Sequence, residues 1–282
     1  KHDEISEIDR NNTNNNNISD HGTTSQPIIS KETFRRLVKD VKELIINPLF
    51  SHKIYYTHNE DNILKGKALI IGPSDTPYEN GFYLFDFTFP QNYPHSPPVV
   101  SFCTNDGETR FNPNLYRNKK VCISILNTWQ GEQWTGCQTI SSILLALCSL
   151  LNDKPLLNEP GITEKHQDYK TYNYIIIYKN FETAMLSVLN NEYTKKEFPM
   201  FYDIIQEHFL SNFNSNIERL TKLYTLFPKK ELLKTSIYSM NILIDYNKLL
   251  NNFHKVKHHH ENENKTENKT KNKTENKIKN KN

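Results

Sequence analysis

RFNPNLYRNKKVCISILNTWQGEQW, Arg110 to Trp134, is the stretch whose reading decides the fold. An irregular, asparagine-rich segment carrying Asn112, Pro113 and Asn114 leads to Cys122, eight residues after Asn114. An Ile-Ser-Ile-Leu run follows the cysteine, with Trp129 and Trp134 beyond it. Such a segment reads as a loop that presents a thiol. What flanks it decides whether that thiol does chemistry.

Upstream, Ser30 is a good N-cap, and Phe34, Leu37, Val38, Val41 and Ile45 recur at helical spacing. A helix burying that face and ending at Pro48 is expected. Its other side carries Arg35, Lys39 and Lys42, which fit either a solvated face or a docking surface for an acidic partner. Strands are expected at about 53–57, 67–71, 82–89 and 99–104, separated by Gly72-Pro73 and Asn80-Gly81 punctuation. Tyr83, Phe85, Phe87 and Phe89 share one face of the third, with Asp86 and Thr88 opposite. Short connections make this an antiparallel meander, because parallel strands need long crossovers.

Downstream, a helix over 139–151 buries Ile140, Ile143, Leu144, Leu147 and Leu151. Another is expected over 169–189, then weaker helical stretches at 202–226 and 230–253. The order helix, four strands, loop, helices defines an α+β fold with helices on one side of an antiparallel sheet. Residues 1–27 are polar and asparagine-rich, and 258–282 alternate Lys, Asn, Glu and Thr. Both are expected to be disordered, flanking a core at 28–192 and a helical extension at 193–257. His258 to His260, in so loose a tail, would lack the fixed geometry that holds a metal. The chain begins at Lys1 without an initiator methionine, as a fragment or processed form would.

A net charge of +3 over 282 residues gives no reason to expect a nucleic-acid partner. No apolar run reaches the roughly 18 residues that span a bilayer, so no membrane partner is expected either. The four cysteines, Cys103, Cys122, Cys137 and Cys148, form no Cys-x-x-Cys pair and have no histidines at zinc-finger spacing. Free thiols in a reducing compartment, cytosol or nucleus, and no metal or other cofactor are the expectation. Cys103 and Cys148 read as small buried hydrophobes.

A cysteine hydrolase would place a histidine beside its thiol. The nearest histidines to Cys122, His95 and His166, stand in no such motif. A thiol without that partner suits exchange with an already activated acyl group, since thioester passing to thiol is nearly isoenergetic. Amine attack on the new thioester then develops negative charge on the acyl oxygen. A nearby amide such as Asn114 could stabilise that charge, although a loop-holding hydrogen bond would explain an Asn beside a Cys equally well.

Several motifs then converge. Tyr93-Pro-x-x-Pro-Pro98, Asn112-Pro-Asn114, Val121-Cys-Ile-Ser-Ile-Leu126 and Trp134-x-x-x-Gln-Thr-Ile140 stand in the order and spacing of the ubiquitin-conjugating enzymes, and residues 30–190 resemble the catalytic core of that family. Gly72-Pro-x-Asp-Thr-Pro-Tyr-Glu79, Arg110-Phe-Asn-Pro-Asn-x-Tyr-Arg-Asn118, Thr128-Trp-x-Gly131 and Asn158-Glu-Pro-Gly161 are similar to its large enzyme Z branch. The resemblance implies that Cys122 accepts ubiquitin or a ubiquitin-like modifier as a thioester from an activating enzyme. Transfer to a substrate lysine, usually with a ubiquitin ligase, would follow. Asn114 would serve the oxyanion, the loop or both, and Asn158 and Glu159 would orient the incoming lysine. Arg35, Lys39 and Lys42 would meet the activating enzyme, and His95, Gly136 and Cys137 would lie on the ligase surface.

Three departures from the family pattern stand out. Asn112 replaces the histidine of most members, as in the Z branch, and an amide can still hold the loop. His95 and Thr135-Gly136-Cys137 replace the usual residues of the ligase surface, which bears on the class of ligase. Cys137 lacks an Asn-Pro-Asn partner of its own. The alternative to an active enzyme is a silent relative that serves as a binding scaffold.

Overall fold

The computed structural model describes residues 29–260. The expected leader (1–27) and the tail beyond 260 lie outside the described residues. Helix α1 spans Lys31–Ile46, and the Ser30 hydroxyl oxygen accepts the Thr33 N–H at 3.0 Å, so the predicted cap is in place. The predicted buried face is met only in part, by buried Leu37 and half-buried Val41. Thr33, Leu37, Asp40 and Leu44 point inward, while Phe34, Val38 and Ile45 are 52%, 45% and 74% exposed. Two polar partners turn the helix this way. Thr33 donates to the Gln91 carbonyl at 2.8 Å, and buried Asp40 takes Arg36 at 2.8 Å together with the Tyr93 hydroxyl.

Strands β1 (Ile54–His58), β2 (Lys65–Ile71), β3 (Phe82–Thr88) and β4 (Val99–Phe102) form an antiparallel meander in sequence order. Register runs through Ala68↔Phe85 between β2 and β3 and Phe85↔Phe102 between β3 and β4. Ala68, Ile70, Tyr83, Phe85 and Phe87 join the core that helix α2 (Ile140–Leu150) completes with Ile140, Ile143, Leu144 and Leu147. Each such buried aliphatic contributes roughly 1.5–3 kcal/mol over its exposed state. A reciprocal Thr139–Ser142 capping box starts α2.

Helix α3 (Tyr169–Lys179) passes into a π-helical segment, Asn180–Ser187, and the short α4 (Val188–Asn190). The widened turn lets fully buried Asn180 bind two distant groups. Its Oδ1 accepts the Tyr83 hydroxyl at 2.6 Å and its amide donates to the Glu79 carbonyl at 2.9 Å. Helices α5 (Glu192–Glu197), α6 (Pro199–Ser211) and α7 (Phe213–Leu226) follow.

They correct the one-sided layering. Phe82 and Leu84 alternate with Tyr83 and Phe85, so they face the other way. The Phe82 ring meets His208 of α6 edge-on at 5.9 Å, and Lys67 lies 4.3 Å from the Phe198 ring centroid and pairs with Asp86 at 2.9 Å. The extension therefore covers part of the second sheet face. Phe82 through Phe85 are all buried.

A second correction concerns 230–253, expected to be helical. Strands β5 (Glu231–Lys234) and β6 (Asn241–Ile244) form an antiparallel hairpin there. Leu233, Ile242 and Ile244 are buried, whereas Leu232 and Leu243 are about half exposed. That period-two burial is a strand's signature. A last helix, α8, covers residues 246–260. Its final turn includes His258 to His260, which composition places in the loose tail, and His260 is buried. No helix among the described residues is long and apolar enough to cross a membrane.

Candidate active site

After β4 the chain crosses to the quoted stretch, where the Asn112–Leu115 turn closes through Leu115 N–H to Asn112 O at 2.9 Å. Asn112 is fully buried and uses its whole amide. Its Nδ2 donates to the Leu150 carbonyl at 2.8 Å and the Tyr78 hydroxyl at 3.1 Å. Its Oδ1 accepts the Asn114 N–H at 2.9 Å and the Asn158 amide at 3.3 Å. The residue thus ties the loop to the C-terminal end of α2 and to the Asn158 turn. The amide in place of a histidine holds the loop, as expected.

Asn114 and Cys122 clasp each other. The Cys122 N–H donates to the Asn114 carbonyl at 2.9 Å, and Asn114 Nδ2 donates to the Cys122 carbonyl at 2.6 Å. An amide nitrogen carries two N–H groups, so one remains after this bond. Asn114 Oδ1 is buried and accepts no hydrogen bond among the described residues. Beyond the cysteine, the Thr128 hydroxyl oxygen accepts the Ile123 N–H at 3.0 Å and lies 2.9 Å from the Val121 carbonyl, bracing the chain on both sides. Cys122 itself is 2% exposed.

The remaining predicted residues fall into two places. Asn158 joins Cys122 through Asn112 and Asn114. Glu159 accepts the Tyr238 hydroxyl, and the Tyr238 ring lies against Arg110, which holds the Asn112 and Pro113 carbonyls. Arg35, Lys39, His95 and Gly136 line one cleft between α1 and the loops that face it, apart from this network. His95 pairs with Glu32 at 3.1 Å, and the Arg36 guanidinium donates to the carbonyls of Gly136 and Gln138. Lys42 is exposed farther along α1, and exposed Cys137 adjoins Gly136. Cys103 and Cys148 are only partly buried, not wholly as expected. Burial, then the charge of Asp86, pushes the Cys103 thiol up to about 12, so it is inert.

Arg110 and Arg117 stand in a branch motif to which the sequence assigns no role, and Tyr238 stands in no motif at all. The Arg110 guanidinium sits 3.4 Å from the Tyr116 ring centroid and 4.8 Å from that of Tyr238, while donating to the carbonyls of Asn112 at 3.2 Å and Pro113 at 2.6 Å. Arg117 donates to the Tyr238 carbonyl at 2.7 Å. Arg110 and Arg117 lie in the quoted stretch, but their partner is more than a hundred residues away and no local pattern announces it.

The fold and this loop set a cysteine clasped by an asparagine between a four-stranded meander and a helix. The family model for ubiquitin-conjugating enzymes matches residues 36–179, half of the chain, and the chain belongs to that family. Ubiquitin-conjugating enzyme E2 Z of Danio rerio is 37% identical over 188 residues, covering 66% of this chain and 56% of that protein. The Homo sapiens E2 Z is 46% identical over 134 residues, 46% of this chain and 38% of that protein. The human dual E2 ubiquitin-conjugating enzyme/E3 ubiquitin-protein ligase BIRC6 is 40% identical over 190 residues, 62% of this chain and 4% of BIRC6. The similarity places the chain close to the E2 Z branch, and the chain spans only about half the length, or less, of these relatives.

Proposed function

We propose that this chain carries ubiquitin, or a ubiquitin-like modifier, as a thioester on Cys122 and passes it to lysine. The observation that carries this reading is the reciprocal Asn114–Cys122 clasp, which fixes the amide against the backbone of the cysteine. In the first step the Cys122 sulfur attacks the thioester carbonyl carbon of the modifier on an activating enzyme. A new C–S bond forms, the old one breaks, and the activating enzyme's sulfur leaves as a thiol. In the second, a neutral lysine amine attacks that carbonyl. The C–N bond forms, Cys122 departs as thiolate, and the amine's surplus proton passes to solvent. The second N–H of Asn114 is the donor for the oxyanion that develops between these events. Asn158, bonded to Asn112, and Glu159, bonded to Tyr238, orient the amine.

Exposed Arg35, Lys39 and Lys42 on α1 are the docking charges for the activating enzyme. His95, Gly136 and Cys137 form the ligase-facing surface, whose His95–Glu32 pair and Gly136 give it a polar character. Four free cysteines fit a reducing compartment, cytosol or nucleus.

One observation favours a silent scaffold instead: Cys122 is 2% exposed, so the sulfur must be uncovered before it reacts. A charging assay separates the readings. With activating enzyme, ATP and modifier, a thiol-sensitive adduct is expected that Cys122→Ser abolishes and Cys137→Ser retains. No adduct across a panel of modifiers and activating enzymes would sink the enzymatic reading.

A further inference from the structure

Residues 235–240, the turn of the C-terminal hairpin, are held far more tightly than a surface turn needs. Asp168, 7% exposed, accepts the N–H of Ser236 at 3.0 Å, its hydroxyl at 2.7 Å and the Ile237 N–H at 2.9 Å. Thr235 donates its N–H to the Met240 carbonyl at 3.0 Å and its hydroxyl to the Ile237 carbonyl at 2.8 Å. Within this frame Tyr238 and Ser239 adopt left-handed backbone, φ 59° and 47°. A bulky aromatic seldom takes that conformation, and it persists only where surroundings over-determine it. Here they do, since Arg117 also grips the Tyr238 carbonyl at 2.7 Å.

The forced backbone sends the Tyr238 side chain into the candidate site. Its ring lies against the Arg110 guanidinium, at 4.8 Å, and meets the Tyr172 ring at 6.1 Å. Arg110 in turn holds the Asn112 and Pro113 carbonyls, one residue short of Asn114. The Tyr238 hydroxyl donates to Oε2 of Glu159, and no other side-chain hydrogen bond reaches that carboxylate among the described residues. One carboxylate oxygen is therefore pinned, and the other has no hydrogen-bond partner among the described residues.

We propose that Tyr238, supplied by the C-terminal hairpin, is a positioning residue for acceptor lysine. Its hydroxyl fixes one oxygen of Glu159 so that the other receives the incoming amine, and its ring steadies Arg110 under the Asn112–Asn114 turn. The inference rests on the lysine-transfer reading of Glu159 given above. It also gives the hairpin a role, since the hairpin completes the acceptor side of a site whose thiol lies more than a hundred residues earlier.

The test uses the full chain, charged with modifier and then freed of activating enzyme. Single-turnover discharge is followed against increasing free lysine and, separately, against hydroxylamine, which needs no guided deprotonation. Tyr238→Phe keeps the ring and loses the hydroxyl. It is expected to raise the half-saturating lysine concentration about fivefold, the worth of one hydrogen bond, while the maximal rate and hydroxylamine discharge change less than about twofold. Glu159→Gln should show the same selective loss, and the double variant no more than either single one. Glu159→Asp retracts the carboxylate but keeps its charge, and should mimic Tyr238→Phe without touching the hairpin. Melting temperatures verify that each variant is folded.

Wild-type lysine saturation in Tyr238→Phe, additive losses in the double variant, or equal loss toward both nucleophiles would overturn the inference while the thioester reading stands. Wild-type behaviour of Glu159→Gln would do the same. A wild-type chain that never charges would overturn both.

Discussion

The Asn114 side-chain amide donates to the Cys122 carbonyl at 2.6 Å, and the Cys122 N–H returns a bond to the Asn114 carbonyl at 2.9 Å. Two roles for Asn114 thereby become separable. One N–H holds the loop, and the other is the donor assigned to the oxyanion in the proposed mechanism. Asn114→Ala should still be charged but discharge to lysine on the order of 100-fold more slowly, as loss of an oxyanion donor does. Its melting temperature should also fall, by the worth of about one hydrogen bond, roughly 1 kcal/mol. Equal discharge rates with a lowered melting point would leave Asn114 a purely structural residue.

Asn112 is the more costly residue to lose. Asn112→Ala removes four hydrogen bonds, strands the Asn114 N–H in the interior and leaves the Leu150 carbonyl only the long 3.5 Å bond from Asn158. A destabilisation of about 2–4 kcal/mol is expected from denaturant titration. A loss below about 1 kcal/mol would mean that water or a neighbour takes over those groups.

The α1 charges predict a rate effect. Reversing Arg35, Lys39 and Lys42 to Glu should slow charging by roughly 10-fold or more at low salt, with the deficit shrinking as salt rises. Discharge of already charged protein should be untouched. A deficit independent of salt would argue against electrostatic docking there.

His208 makes stability depend on pH. Burial, and then the charge of Lys53, depress its pKa from the usual 6.5 to about 4. Its Nε2 lies 3.0 Å from Asn80 Oδ1, which a neutral ring can satisfy by donating. Because the folded value is depressed, the unfolded chain takes the proton first. The contribution is complete above about pH 6.5 and is lost as pH falls from there toward 4. Thermal melts across that window should therefore drop more steeply for wild type than for His208→Gln. Parallel curves would show that His208 carries no such linkage.

Much of this is legible in the chain because its signals are local. Ser30 capping, the Ala68–Ile71 and Phe82–Phe89 runs, the Ile140–Leu147 stripe and the spacing of Asn114 to Cys122 each sit within a dozen residues. What escapes is set by distant partners. Phe34 and Val38 look like core until Asp40, a charged residue, is seen buried by Arg36 and Tyr93. Phe82 and Leu84 do not stand out as a second apolar face because Asp86 and Thr88 share it, although four consecutive buried residues foretell a covered sheet. The β5–β6 hairpin is hidden because its strands are only four residues long and their apolar residues, Leu232-Leu233 and Ile242-Leu243-Ile244, are adjacent rather than alternating, so only the burial has period two.

That second covered face bears on where the molecule can be divided. A fragment stopping near residue 190 would bare Phe82, Leu84 and the far side of β2, and would strip Asp168, Arg117 and Glu159 of their hairpin partners. Residues 193–260 thus act as the back wall of the catalytic fold, and wall and core should melt together in one cooperative transition. A cut at the apparent boundary would yield a sticky half-sandwich instead of a minimal enzyme.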